Sequence, residues 1–266
     1  MSPVELRGIV KRFGSLVANN RIDLDIDANE IQALLGENGA GKTTLMKILY
    51  GMYQPDEGEI IVDGSAVRLR SPADAIGHGI GFVSQHFSLV PTFTVAENII
   101  LGREGSLRLN QTEMNRQVKA LAEDYGFEIN PAAAVRDLSV GEQQRVEILK
   151  ALYRHCRLLI LDEPTAVLTP LDTERLFQNL RDLREKHLSV IIITHKLEEA
   201  MAVTQRVTVL RHGEVVGRER TENTSTTDLA RLMVGRNAVN IVRNESHRAS
   251  DEVALAVSSL NLTGKN

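Results

Sequence analysis

The residues with the clearest chemical purpose lie in one glycine-rich stretch, GENGAGKTT, at residues 36–44. It matches the pattern GxxxxGK[ST] and stands between a continuous apolar run and a helical pattern at residues 43–50. Glycines let backbone N–H groups turn inward as an anion nest at the positive end of a helix, where nucleotide phosphates bind. Lys42 is expected to reach the β- and γ-phosphates, and Thr43 to ligate Mg²⁺. The expected ATP contacts are Gly36, Glu37, Asn38, Gly39, Ala40, Gly41, Lys42, Thr43 and Thr44.

Two further candidate residues follow another apolar run, in the string LLILDEP at residues 158–164. Asp162 is expected to hold Mg²⁺, directly or through its water shell. Glu163, one residue further out, can polarise the water that attacks the γ-phosphate. Two acids after an apolar run are common by themselves, so this assignment depends on the glycine-rich loop elsewhere in the chain.

A third string, LSVGEQQRVEILKAL at residues 138–152, lies shortly before LLILDEP. We call it the signature segment. Together with four other positions it resembles the nucleotide-binding subunit of an ATP-binding cassette (ABC) transporter, and the resemblance covers residues 1 to about 240. An ordinary P-loop kinase or GTPase does not carry this set. The four positions are Phe13 in KRFG, Gln85 after an apolar run, Leu171 with Asp172, and His195 after another apolar run.

The resemblance implies a role around ATP for three of these positions. Phe13 would stack on the adenine, a contact that contributes ~1–3 kcal/mol per base; its structural alternative is an ordinary core residue. Gln85 would bridge Mg²⁺ or the attacking water while its loop senses a partner. His195 would hydrogen-bond the γ-phosphate and stabilise the charge that develops during transfer.

The signature segment has the features of a helix start that binds phosphate, at Ser139 and the backbone of Gly141. In the resembling family that phosphate belongs to a nucleotide held by the opposite subunit. The resemblance therefore implies a head-to-tail pair of cassettes that closes around two ATP molecules and reopens after hydrolysis. A monomer is expected to bind ATP but to hydrolyse it poorly.

Some residues depart from the most common family pattern and indicate a narrower group. Val140 and Glu142 replace the usual Gly and Gln, and Thr169-Pro170 replaces small residues. The strings at residues 84–102 and 162–170 resemble bacterial tandem ATPases of simple-sugar and nucleoside importers. This resemblance implies that the chain powers uptake of a nucleoside or simple sugar.

The same resemblance implies partners and a location. The partners are integral membrane permease subunits, a second cassette (in the same longer chain or as a homodimer) and, indirectly, an extracytoplasmic substrate-binding protein. Residues 86–150 would form a helical subdomain that receives the membrane subunits, with a docking groove near residues 87–93; the alternative is that these apolar residues pack internally. The expected location is peripheral, at the cytoplasmic side of the bacterial plasma membrane.

Periodicity indicates the elements that must position these residues. Ile22, Leu24 and Ile26 alternate with aspartates, which predicts an antiparallel strand exposed on one face. Continuous apolar runs predict strands that are buried on both faces. Because helical patterns lie between these runs, the strands are expected to pair in parallel. These patterns predict an α/β fold with a parallel sheet and an N-terminal antiparallel β layer. The resemblance implies that the sheet is a P-loop NTPase (RecA-like) core and that a helical subdomain is inserted in it. The buried runs lie at residues 31–35, 80–83, 158–161 and 190–193.

Capping residues predict two of the helices and a turn. Asn110 begins a helical pattern that Gly126 ends. Thr169 with Pro170 begins a second helix. His212-Gly213 separates two β-rich runs, which predicts a hairpin.

Three segments follow from the composition along the chain. Residues 1–240 form the predicted cassette, and the polar residues 241–252 a linker. In residues 253–266 the apolar spacing at 255, 257 and 260 repeats that at 4, 6 and 9. This repeat predicts the start of a second cassette; the alternative is an ordinary amphipathic tail.

Composition and charge narrow the possible classes. The 266 residues are 42% hydrophobic and 25% charged, which excludes fibrous and fully disordered chains. Since 31 Lys and Arg stand against 35 Asp and Glu, giving a net charge of −4, nucleic acid is not an expected partner. The sequence shows neither a membrane-spanning run nor a secretory signal, and one cysteine, Cys156, suits a reducing compartment as a small core residue.

Two other classes remain as alternatives. One is a non-transport ABC ATPase, such as a translation factor or a DNA-repair ATPase. Repair types interrupt the cassette with long heptad coiled coils, which this sequence lacks. Translation factors usually carry basic linkers or insertions, whereas NESHRASDE at residues 244–252 is mixed in charge. The other alternative is a nucleotide-binding module without turnover.

Overall fold

The computed structural model describes residues 4–102 and 110–235, so the predicted linker and second-cassette start lie outside the described residues. Strands and helices alternate along most of this part of the chain. The strands are Val4–Phe13 (β1), Leu16–Ile26 (β2), Ile31–Leu35 (β3), Glu57–Val62 (β4), Ser65–Val67 (β5), Ile80–Val83 (β6), Leu158–Asp162 (β7), Ser189–Thr194 (β8), Arg206–Arg211 (β9) and Glu214–Arg220 (β10). The helices are Lys42–Leu49 (α1), Pro72–Gly77 (α2), Val95–Ile100 (α3), Gln111–Tyr125 (α4), Val140–Tyr153 (α5), Pro170–Glu185 (α6), Leu197–Val203 (α7) and Thr226–Val234 (α8).

The larger sheet has six strands in the order β10-β9-β3-β8-β7-β6. All neighbours are parallel except β10, which pairs antiparallel with β9. In β7, Leu159 and Leu161 pack against the core beneath α3–α6, whereas Leu158 and Ile160 pack toward the other face. Because both faces of this sheet are covered, its central strands have continuous apolar sequences. The predicted parallel sheet is confirmed.

The smaller sheet is antiparallel throughout, with the order β2-β1-β4-β5. Ile22, Leu24 and Ile26 of β2 are buried and share one core with α1 and the second face of the large sheet. The predicted N-terminal β layer is therefore present. Its strands β4 and β5 had no prediction from the sequence.

Helices α3, α4 and α5 stand between β6 and β7 in the chain and form the region predicted as a helical subdomain. Asn110 caps α4 by accepting a hydrogen bond from the Glu113 amide at 3.2 Å, and Gly126 ends the helix in the left-handed conformation. Helix α5 continues to Tyr153, three residues beyond the predicted limit of the subdomain. Within the described ranges, no helix has both the length and the apolar character that crossing a bilayer requires.

Helix α6 begins as predicted. The Thr169 side chain accepts a hydrogen bond from the Asp172 amide at 3.2 Å, and Pro170 occupies the first turn. Residues on one face of the helix are buried in the core that also contains Leu159 and Leu161 of β7, so this face packs against the sheet. Those residues are Leu176, Phe177, Leu180 and Leu183.

Candidate functional site

The glycine-rich loop joins the end of β3 to the start of α1, and its shape requires glycine at position 41. Gly41 has a φ of 99°, and a Cβ there would lie 2.3 Å from the Ala18 carbonyl oxygen. Asn19 also donates from Nδ2 to the Gly41 carbonyl at 3.1 Å. The loop is thus pressed against β2, and the unpaired amides at the N-terminus of α1 are available to an anion.

Lys42 is buried inside this loop. Its Nζ donates to the carbonyl oxygens of Gly36 at 2.6 Å and Glu37 at 3.0 Å. Burial lowers the pKa of Lys42, while the nearby carboxylates of Glu163 and Asp162 act in the opposite direction. The loop therefore holds an amino group whose charged form an incoming polyphosphate would favour.

Two oxygen donors meet where β7 ends and α1 begins. The Thr43 hydroxyl donates to Asp162 Oδ1 at 3.3 Å. Asp162 is buried, and this burial raises its pKa. A hydroxyl and a carboxylate from separate elements thus converge below the loop.

The predicted water-activating residue, Glu163, pairs with His195, the residue expected to hydrogen-bond the γ-phosphate. His195 Nδ1 lies 2.9 Å from Glu163 Oε1. Glu163 has a left-handed backbone, with φ of 47°, and its amide donates to the Ile193 carbonyl at 2.9 Å, which ties the end of β7 to β8. Among the described residues, the buried Oε2 of Glu163 has no hydrogen-bond partner. His195 therefore holds Glu163 through one carboxylate oxygen.

These groups open into one cleft of about 630 Å³. Of the predicted residues, Phe13, Gln85, Glu163, His195 and residues 38–44 line it. Phe13 is 43% exposed and meets the Tyr53 ring edge-to-face at 5.4 Å, so it is not a buried core residue. The structure therefore brings together predicted residues that are up to 182 positions apart (Phe13 to His195) in the sequence.

Several predicted residues are not in the cleft wall. Gly36, Glu37 and Asp162 lie behind it, bonded to Lys42 or Thr43. The Ala40 residue lines the cleft, but its amide donates to the Glu37 carbonyl at 3.1 Å and is used within the loop. Five lining residues were not predicted, and only their closeness in sequence to Phe13, to Glu163 or to the predicted hairpin could have indicated them. These are Leu16, Val17, Ala18, Ala166 and His212.

Ser139 and Gly141 do not line this cleft; they lie at the start of α5. Ser139 is exposed and forms a capping box, with its hydroxyl 2.7 Å from Glu142 Oε2 and 3.3 Å from the Glu142 amide. The Ser139 hydroxyl and the Ser139 amide, which donates to Glu142 Oε2 at 2.8 Å, lower the pKa of the Glu142 carboxyl. The glutamate that departs from the common family pattern therefore caps its own helix.

Gly141 allows the signature helix to approach α6. A Cβ at Gly141 would lie 2.9 Å from Asp172 Oδ1, a distance too short for a real side chain. One turn further along, Gln144 Nε2 donates to the Pro164 carbonyl at 2.8 Å. The first turns of α5 thus contact two parts of the segment that follows Glu163: the Pro164 carbonyl and the Asp172 side chain.

Two further side-chain clusters border the site without having been predicted. Thr165 donates to Glu199 at 2.5 Å, and Lys196 also pairs with Glu199 at 2.8 Å. On the Gln85 side, buried Glu147 accepts from the Ser88 amide at 2.6 Å. No sequence motif indicated either cluster, because their members are 34 and 59 residues apart.

The family model described as "ABC transporter" matches residues 19–166, more than half of the chain. The chain belongs to the ABC transporter family. The matched region includes the loop that follows β3, the signature segment, and Asp162 and Glu163 at the end of β7. The resemblance drawn from the sequence is confirmed.

Curated relatives of this ABC cassette are about twice as long. The chain is 49% identical over 91% of its length to the glucose import ATP-binding protein TsgD13 of Haloferax volcanii, of which it covers 50%. It is 45% identical over 97% of its length to the nucleoside import ATP-binding protein NupA of Lactococcus lactis, of which it covers 51%. The chain thus spans about half the length of the curated relatives it matches.

Solved ABC cassettes share its fold. A nucleotide-free ATP-binding cassette covers 88% of this chain and all of its own, with a TM-score of 0.78 at 20% identity, which shows the fold. The cassette MJ0796, described as a dimeric post-hydrolysis state bound to ADP and Pi, covers 83% of this chain and all of its own, with a TM-score of 0.70 at 27% identity. The predicted fold class is confirmed.

Proposed function

We propose that this chain is the ATP-hydrolysing cassette of an importer for a nucleoside or simple sugar. The observation that carries the proposal is the meeting, in one cleft, of the phosphate-binding loop with the Glu163–His195 pair. Such a cleft combines an anion-binding helix N-terminus with a carboxylate that can accept a proton from water. The glucose and nucleoside import proteins described above support the transported class.

The length of the relatives supports a tandem protein. Since the chain spans about half of each relative, we infer that it is the N-terminal cassette of a longer chain whose other half carries a second cassette. The alternative, a translation factor, finds no support in the relatives reported above, which are import proteins.

The residues below the loop fit Mg²⁺. Thr43 and Asp162 supply a hydroxyl and a carboxylate, the hard oxygen ligands that Mg²⁺ prefers, and Gln85 adds an amide oxygen in the same cleft. In the described ranges no three His, Cys, Asp or Glu side chains form a cage, in keeping with an ion held by one or two protein ligands and substrate phosphates. Bound there, Mg²⁺ would neutralise phosphate charge.

The protein's own groups have distinct roles in the proposed reaction. Glu163 accepts the proton of the attacking water, and His195 holds Glu163 through Oε1 and can hydrogen-bond the γ-phosphate. Lys42 and the loop amides bind the phosphates, with Gln85 beside the water. Phe13 stacks on the adenine, and its exposure supports this role.

We infer that Ser139 and Gly141 complete the site of a facing cassette. Both lie at the start of α5 and outside the cleft of their own chain; Ser139 is exposed, whereas Gly141 is buried against Asp172. The helix N-terminus can bind the phosphate of a nucleotide held by the opposite loop. The dimeric state described for MJ0796 supports this arrangement.

We place the permease contact near residues 87–93, at the cytoplasmic face of the membrane. Phe93 is 37% exposed, whereas Leu89 packs against the main core. One part of this segment thus packs internally, as the alternative interpretation expected, and another is free for a membrane subunit. An extracytoplasmic substrate-binding protein would act on that subunit, and so on this chain only indirectly.

Replacing the proposed base tests the enzymatic part of the proposal. The Glu163→Gln variant should lose at least about 100-fold in the ATP hydrolysis rate, as expected for removal of a general base. It should still bind Mg·ATP and accumulate as a nucleotide-bound dimer, measured by size-exclusion chromatography with light scattering. Glu198→Gln, an exposed carboxylate on α7, is the matched control and should hydrolyse ATP like the wild type. Unchanged hydrolysis in Glu163→Gln would remove Glu163 as the base.

A further inference from the structure

The tight turn between β9 and β10 lies beside the phosphate-binding loop. Because β9 pairs parallel with β3, both strands end at the same edge of the sheet. The Gly213 amide donates to the Ala40 carbonyl at 3.1 Å, and the Gly213 carbonyl accepts from the Asn20 amide at 2.8 Å. The turn is therefore clamped between the loop and β2, and the residue before Gly213 has a well-defined position.

That residue, His212, is exposed and lines the cleft. Phe13 and its neighbours on β2 form the end of the cleft where we propose that adenine binds. Residues 38–44 form the other end, where the phosphates would bind. The turn contacts both β2 and the loop, so His212 stands where these two ends join. In a nucleotide, ribose and the α-phosphate connect the base to the β-phosphate.

The turn itself does not require histidine. His212 and Gly213 have φ angles of 52° and 79°, and two successive positive values are typical of a type I′ hairpin turn. Asn-Gly and Gly-Gly suit this turn best. A histidine there adds to the cleft an imidazole N–H, which can donate a hydrogen bond to an oxygen.

We propose that His212 is a nucleotide-binding residue that donates a hydrogen bond to the ribose–α-phosphate segment of ATP. The assignment rests on the proposed ATP binding and adds a residue from the C-terminal hairpin to the site. If His212 makes this contact, it contributes equally to the binding of ATP and of ADP, because both nucleotides contain the ribose–α-phosphate segment.

The test is calorimetric titration of the full chain with Mg·ATP and with Mg·ADP. The His212→Gly variant, which the turn accepts, should raise the Kd for both nucleotides by the same factor of about three to ten, the range for one lost hydrogen bond. His187→Gly is the matched control, because His187 is also exposed, also left-handed (φ of 66°) and outside the cleft. It should leave both Kd values unchanged.

A second variant, His212→Asn, carries the test if the glycine variant unfolds, since Asn-Gly is the preferred turn pair and the shorter amide does not extend as far as imidazole. Kd values within twofold of the wild type for both nucleotides would overturn the assignment. A loss confined to ATP would also overturn it, because it would put the contact at the γ-phosphate. If the wild-type chain binds neither nucleotide, the proposed function fails and the His212 assignment fails with it.

Discussion

Lys42 and Asp162 are ionisable side chains that folding has removed from water, and burial shifts their pKa values in opposite directions. Burial lowers the pKa of Lys42 and raises the pKa of Asp162, because in both cases it disfavours the charged form. The charges of Glu163 and Asp162 partly offset the shift of Lys42. The Thr43 hydrogen bond and the charges of Lys47 and Lys42 partly offset the shift of Asp162, whereas the charge of Glu163 raises the pKa of Asp162 further. A polyphosphate with its cation adds both signs of charge to the same place, so nucleotide binding and the charged forms of these residues support each other.

Cys156 gives a prediction at the scale of one residue. Its thiol lies near Gly81, and the residue packs against the main core; burial raises the pKa of the thiol to about 12. The thiolate is the reactive form, so at pH 8 the native chain should react with an aromatic disulfide reagent roughly a thousandfold more slowly than the unfolded chain. Stopped-flow absorbance of reagent reduction measures this rate. Native labelling at the unfolded rate would show that the thiol is accessible and ionised.

Among the elements, α5 connects the most parts of the site. Its first turn presents Ser139, and Gly141 contacts Asp172 of α6. Further along, Glu147 holds the loop that contains Gln85 by accepting from the Ser88 amide at 2.6 Å and the Ser88 hydroxyl at 3.2 Å. A displacement of the exposed end of α5 would therefore act on both α6 and the Gln85 loop.

The Glu147–Ser88 contact gives a prediction at the scale of elements. Glu147 is 6% exposed, and the Glu147→Ala variant leaves a backbone amide without its charged acceptor. The free energy of unfolding should fall by about 1.5–3 kcal/mol, the range for hydrogen bonds to charged groups. Urea unfolding followed by circular dichroism measures the change.

The Ser88→Ala variant is the control for this contact. It removes the 3.2 Å hydroxyl bond but keeps the 2.6 Å amide bond, so its loss of stability should be smaller. If Glu147→Ala unfolds at the same urea concentration as the wild type, α5 does not hold the Gln85 loop through this carboxylate.

In the whole molecule, sheet order assembles the cleft. The strands β3, β7 and β8 are neighbours and parallel, so the glycine-rich loop, Glu163 and His195 leave the sheet at one edge. The small antiparallel sheet adds Phe13 from the N-terminal side. The start of α5, with Ser139, lies outside this cleft, whereas Gln85 lines it.

Docking to membrane subunits gives a prediction at this scale. We expect the tagged chain, purified from detergent-solubilised membranes of its host, to retain hydrophobic permease subunits. The Phe93→Asp variant should lose them, because a charge would replace an apolar side chain in the contact. Val234→Asp is the control, since Val234 is 49% exposed but lies on α8. Both variants should bind Mg·ATP like the wild type.

Two outcomes would contradict this expectation. Retention of the same membrane subunits by the wild type and Phe93→Asp would move the docking surface away from residues 87–93. Recovery of ribosomes in place of membrane subunits, at moderate salt, would favour the translation-factor alternative over transport.

Local patterns predicted much of the fold. The apolar runs became strands β3, β6, β7 and β8, and the caps at Asn110 and Thr169 began helices α4 and α6. The short elements β4, β5 and α3 were not predicted, because segments of three to six residues carry little periodicity and depend on neighbours for their stability. The roles assigned to the site residues, the subdomain limits and the segments beyond residue 235 stay predictions.

The sequence by itself determined which chemical groups this protein can use: an anion-binding loop, adjacent acids after a buried strand, and a capped helix with an exposed serine. These depend on spacing over a few residues, which local backbone preferences control. Only the tertiary structure decided that Glu163 and His195, 32 residues apart, meet at 2.9 Å, that Gly141 faces Asp172, and that His212 enters the cleft. Such contacts depend on which strands are neighbours in the sheet. The order of the strands is the one that buries both faces of the sheet at the same time.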